Sequence, residues 1–162
     1  MADPATLLEW TQNRYNELEA YLTTARTRLK SARVELLGDP DDEAKPGALA
    51  AYSTLVSEIS SLDDEIAATR REIAAASSPA DIEALADSLE DLLIDLSSKK
   101  GELITAAEQL NLAQTKADLA QDMVRQLEQE VVEAAATLAE ETDRKALNDE
   151  LKTAIGQEPL SL

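Results

Sequence analysis

Carboxylates, hydroxyls, amines and guanidinium groups are the main groups this chain could use for chemistry, because it contains neither cysteine nor histidine. Their absence removes thiol nucleophiles, tetrahedral zinc sites and imidazole acid/base catalysis. It also removes the di-iron centre that helical bundles build from Glu-x-x-His pairs. The serines fall in the pairs Ser60-Ser61, Ser77-Ser78 and Ser97-Ser98, with no histidine to activate them. The four glycines are isolated, so no loop is built to cradle a phosphate. Asp39, Asp41, Asp42 and Glu43 crowd one loop and invite calcium, but their spacing fits no EF-hand and the central glycine is missing. That loop is read as solvated. Other carboxylate pairs lie on polar helix faces with no apolar pocket to raise one pKa, so a glycosidase-type pair has no setting. No catalytic, cofactor-binding or metal residue is expected, and the chain is read as no enzyme.

Charge narrows the partners. The formal net charge is −18, which opposes contact with nucleic acid or anionic lipid, where phosphate contacts supply most of the affinity. Residues 1–38 balance, whereas residues 39–98 hold fifteen acids against three bases. Arg26, Arg28, Lys30 and Arg33 form a basic stripe expected to face the acidic stretch from Asp81 to Asp95 within the same chain. No run of residues is apolar and long enough to span a membrane, and Met1-Ala2-Asp3-Pro4 lacks the features of a secretion signal. A soluble protein, cytoplasmic or part of a soluble assembly, is the expectation.

The elements that position these groups are helices. Charged residues make up 30%, glycine and proline are few, and the aromatics are one Trp and three Tyr, a composition of long helices rather than sheets. Asp3-Pro4 opens the first helix and Gly38 with Pro40 closes it. The turn-rich stretch 38–47 follows. A second helix runs to about residue 76, and Ser78-Pro79 starts a third. Gly101 is read as internal to that third helix. At Glu140-Asp143 the apolar pattern slips, so either the winding changes or Thr142 caps a short last helix. The expected helices are about 4–37, 47–76, 79–139 and 142–155, forming one domain over 1–156 with a flexible tail at 157–162.

Within each helix an apolar seam alternates steps of three and four, the a and d positions of a heptad. The first seam runs from Leu8 through Leu22 and Leu29 to Leu36. The second runs from Ala48 to Ala76, and the third from Ile82 to Leu138. Thr11, Thr69 and Lys99 interrupt them, and Lys99 is expected to lay its stem flat and keep its ammonium in water. Trp10 stands off the strict seam and is read as widening the buried stripe, with a partner contact as the alternative.

The first two seams are equal in length, which predicts an all-α fold: an antiparallel hairpin of helices one and two plus a long third helix. That is a three-helix bundle with a coiled-coil extension, or a four-helix bundle if the third helix breaks and returns. In the extended form Leu110, Ala113, Ala117, Ala120, Val124, Leu127, Val131 and Leu138 lack a partner inside the chain. They are therefore the expected partner-binding residues, for another protein or for copies of the same chain. The function read from this is a non-enzymatic coiled-coil scaffold, spacer or adaptor in a larger assembly. The alternative is an acidic helical chaperone or inhibitor that masks a basic partner surface.

Overall fold

The computed structural model describes residues 3–157. It is all-α apart from one small strand pair: α1 (Pro4–Leu37), β1 (Gly38–Asp39), β2 (Asp42–Pro46), α2 (Ala48–Ala75) and α3 (Pro79–Gln157). Residues 158–162, most of the tail expected to be flexible, lie outside the described residues, and Gln157 belongs to α3.

Pro4 starts α1, where a missing N–H costs nothing, and the Leu7 amide donates to the Asp3 carbonyl at 3.0 Å. Gly38 ends the helix with φ at +92°, a conformation open to glycine. Gly38 then pairs with Pro46, and Asp39 with Asp42, in an antiparallel ribbon with an irregular register. The loop carboxylates serve that ribbon: Asp39 Oδ1 accepts from the Asp41 amide and Asp42 Oδ1 from the Ala44 amide, each at 3.0 Å. The ribbon returns the chain to its point of departure. A Cβ on Gly47 would run into the Gly38 nitrogen and the Leu36 carbonyl oxygen, so only glycine fits there. Gly47 immediately precedes the first residue of α2. The second helix therefore begins beside the end of the first.

The third helix is unbroken over 79 residues. It does not stop at residue 139, and no separate helix spans 142–155. Two features carry it through. No proline interrupts residues 80–157. Thr142 donates to the Leu138 carbonyl at 2.7 Å, the back-bond of a threonine inside a helix rather than that of a cap. Gly101 also lies inside α3, and a Cβ there would meet nothing within 4 Å.

Packing divides the chain into two compact units. Among the described residues, one joins 3–30 to 119–157, and the other is Ser31–Asp118. In the first, the seam of α1 closes on α3. Leu22, Ala25, Leu29 and Val124 form one cluster, with Ala120, Leu127 and Val131 packed against it. The pairing is antiparallel: Trp10 and Arg14 border the same groove as Ala134 and Thr137, while Tyr21 and Arg28 border one with Met123 and Leu127. In the second unit α2 is also antiparallel to α3. Its start, at Ala48 and Ala51, lies beside Gln109 and Ala113, and Glu58 meets Lys99.

The predicted hairpin of α1 on α2 is thus overturned, because each takes α3 as its partner. So is the four-helix alternative, since α3 does not double back. The physical reason is the ribbon at 38–46. A turn-rich loop reads as a reversal, but this one closes on itself and delivers α2 to the end of α1.

Candidate interaction surface

Burial follows the seams residue by residue. Leu18, Leu22, Ala25, Leu29, Ala32 and Leu36 are buried in α1, Ile66 in α2, and Ala106, Ala113, Ala117 and Val124 in α3. Each helix has one face to cover, and antiparallel pairing covers it.

The predicted partner-binding residues lie on that covered face. Ala113, Ala117 and Val124 are buried, Val124 to 4% exposure, while Leu110, Ala120, Leu127, Val131 and Leu138 are half-buried. Val124 and its neighbours Ala120, Leu127 and Val131 are held by Leu22, Ala25 and Leu29 of the same chain. The premise that this stretch of α3 goes without an internal partner is therefore corrected. The small alanines do suit a close approach of two helices, as their spacing implies, but the approaching helix is the chain's own.

The polar seam positions are each accommodated. Thr11 turns its hydroxyl back to the Leu7 carbonyl at 2.7 Å. Tyr15 donates to Glu19 at 2.6 Å, and that bond with partial burial raises its pKa above the ordinary tyrosine value. Lys99 does more than snorkel. Its ammonium lies 3.0 Å from Glu58 on α2 and 3.3 Å from Glu102 on its own helix. The Glu58 bond first, then the Glu102 bond, raises the Lys99 pKa. A lysine held more firmly as a cation is the reverse of what a nucleophilic amine requires.

Past Leu138 the helix keeps its phase but the sequence does not. Glu141, Lys145 and Asn148 take the half-covered seam positions, while Leu147, Leu151 and Ile155 are exposed. The Glu141 side chain is only 13% exposed; Oε1 meets Arg144 at 2.7 Å and Oε2 has no hydrogen-bond partner. Lys145 pairs with Asp149 at 2.8 Å, which raises the lysine pKa and lowers that of the carboxyl.

The ion pairs that join helices are exposed. Arg26 reaches Glu128 at 3.3 Å, and Lys116 reaches Glu35 at 3.2 Å. Arg26 therefore pairs with the later part of α3, not with the Asp81–Asp95 stretch. A third region, an open trough, is bordered by Ser53, Ser57 and Ser61 together with Glu58, Glu65, Asp95 and Lys99. It offers hydroxyls and carboxylates to solvent. Among the described residues no three acidic side chains stand together as a metal site.

What sequence reading missed is the flank of the first unit. Trp10 is 60% exposed, so it does not widen the buried stripe, and Tyr21, Leu119, Met123, Leu147 and Leu151 are also exposed. Counted from the seam, all six occupy g or c positions. In an antiparallel pair the g and c positions of both helices share one flank. The signal was present in these positions but lies outside the a/d pattern. No described helix is long and apolar enough to cross a membrane. No family model, curated protein or solved structure matches the chain.

Proposed function

We propose that this chain is a non-enzymatic structural and interaction protein, a helical scaffold, spacer or adaptor of the coiled-coil kind. The observation that carries the reading is a division of labour among apolar residues. Most of those on the a and d seams are covered by the fold, while a second set of large apolar side chains is left on the surface. Exposed apolar side chains gathered on one side mark contact sites for other macromolecules. The titratable groups agree: Lys99, Lys145 and Asp149 are shifted toward their charged forms by ion pairing, which suits surface pairing more than proton transfer. Proteins that assemble with it do so through helix faces, without cofactor, nucleic acid or membrane.

The test is capture of stoichiometric partners by the full chain at low salt and in ~0.5 M salt, followed by reconstitution from pure components. Persistence in high salt is the expected result, because apolar contacts survive screening. Complexes that collapse at high salt would instead favour an acidic chaperone that masks basic surfaces. A chain that forms no complex with itself or any other protein would overturn the scaffold reading.

A further inference from the structure

We propose that the g/c flank of the first unit, bordered by Tyr21 and Met123, is a docking face for a second copy of this chain. The inference rests on the scaffold reading above and names a partner for it. Three observations carry it. First, large exposed apolar side chains are distributed unevenly around this helix pair. Trp10, Tyr21, Leu119 and Met123 fall on the g/c flank, and Leu147 and Leu151 continue that row of α3 past the start of α1, whereas Val132 stands alone on the e/b flank. The e/b flank is instead bridged by Arg26 and Glu128.

Second, the pair is under-buried. Among the described residues no large side chain falls below 2% exposure, and even the central cluster of Leu22, Ala25, Leu29 and Val124 keeps some contact with solvent. Two helices cover one stripe each and leave the sides of the core open. Stacking two such pairs into four helices is the usual way to close them.

Third, the flank carries charges of both signs, and across a two-fold axis its arginines can meet acids, whereas Glu17 falls near the level of Glu130 of the second copy. Its α1 row carries Arg14 and Arg28 beside Glu17, and its α3 row carries Glu130, Glu133 and Glu140 beside Arg144. A two-fold axis along the helices lays α1 of one copy on α3 of the other, at the same height. Arg14 shares a groove with Thr137 in its own chain, so in the dimer it meets the level of Glu133 and Glu140 of the second copy. The flank's bases and acids nearly cancel, so the overall −18 does not oppose this contact as it would oppose one elsewhere. Isologous contacts of this sort close on themselves as dimers.

The experiment is sedimentation equilibrium with native mass spectrometry on the full chain, with helicity followed by circular dichroism. The expected result is a dimer at ~50 μM, weakened at least ~10-fold by Met123→Glu or Tyr21→Glu and unchanged by Val132→Glu. Arg14→Glu should weaken it too, and adding Glu140→Arg should restore it, a test made only through exposed side chains. A wild-type chain that stays monomeric at ~100 μM overturns the inference. So does a dimer that Val132→Glu breaks as readily as Met123→Glu. A monomer that still holds another protein in high salt would sink this inference alone and leave the scaffold reading standing.

Discussion

Glu58 on α2 and Lys99 on α3 meet at 3.0 Å, where the seam of α3 carries its one charge between Ile82 and Leu138. A leucine there would be more apolar, but the lysine has an acid waiting on the opposing helix and a second, Glu102, one turn along. A polar seam residue of this kind fixes which turn of one helix lies against which turn of the other. It holds register more than it adds stability, since both partners remain substantially exposed.

The pair has a pH signature. Glu58 and Glu102 raise the Lys99 pKa above 10.5 in the folded chain. A lysine raised in this way contributes its stabilisation fully below the unfolded value and loses it as pH climbs through the folded value. The wild-type melting temperature should therefore fall more steeply above pH 10.5 than that of Lys99→Met, which has no proton to lose. Parallel curves through that range would show that the ion pair contributes nothing to folding.

Two glycines should respond oppositely to the same substitution. At Gly47 a new Cβ would strike the backbone of Leu36 and Gly38, and backbone cannot step aside as a flexible side chain can. Gly47→Ala is expected to cost roughly 1–3 kcal/mol. At Gly101 a Cβ enters open space within a long helix, so Gly101→Ala should add ~1 kcal/mol. Urea denaturation of the two variants beside wild type measures both. Equal effects would contradict the close return of the 38–46 ribbon onto the end of α1.

These glycines also show how far the sequence could be read. The a/d seams were legible as far as Leu138, because burial repeats at the helical period and leucine, isoleucine, valine and alanine mark it. The ribbon was not. Gly38 and Gly47 read as punctuation, and punctuation does not say whether a loop reverses a chain or closes on itself. Choosing α3 as the partner of α1 was out of reach for the same reason, and with it the cover that α1 gives Ala120, Val124, Leu127 and Val131. The surface flank was hidden differently. Trp10, Tyr21 and Met123 are ordinary helix residues until the orientation of the neighbouring helix decides which side of each turn stays wet.

The end of α3 makes a sharper case. After Leu138 the apolar residues shift by one place, a pattern that fits either altered winding or a new helix. The backbone continues, bringing Glu141, Lys145 and Asn148 to the seam. Glu141 consequently carries a largely covered carboxylate with one oxygen unpartnered. Glu141→Leu should stabilise the first unit by ~1 kcal/mol, since apolar area replaces a desolvated charge. The lost contact with exposed Arg144 offsets less than that. Leu147→Ala, on the exposed side, should leave stability within ~0.5 kcal/mol. A destabilised Glu141→Leu chain in guanidine titration would mean that the Arg144 pair, not the seam, governs this segment.

Salt separates the effect of the whole charge from that of individual pairs. The cross-helix bridges Arg26–Glu128 and Lys116–Glu35 are each about half exposed on both sides, and pairs of that kind contribute at most ~1 kcal/mol. Against them stands a net charge of −18, with thirty-three acids in the chain. Self-repulsion of this size opposes the compact state, and added salt screens it. Screening weakens the bridges too, but the acids outnumber the bases that could bridge them. Melting temperature should thus rise from ~10 mM to ~0.5 M sodium chloride, as the Debye length drops from ~30 Å to a few ångströms. Scans at low micromolar concentration keep self-association out of the measurement. A melting temperature that falls with salt would reverse the ranking, making specific cross-helix pairs the dominant electrostatic contribution.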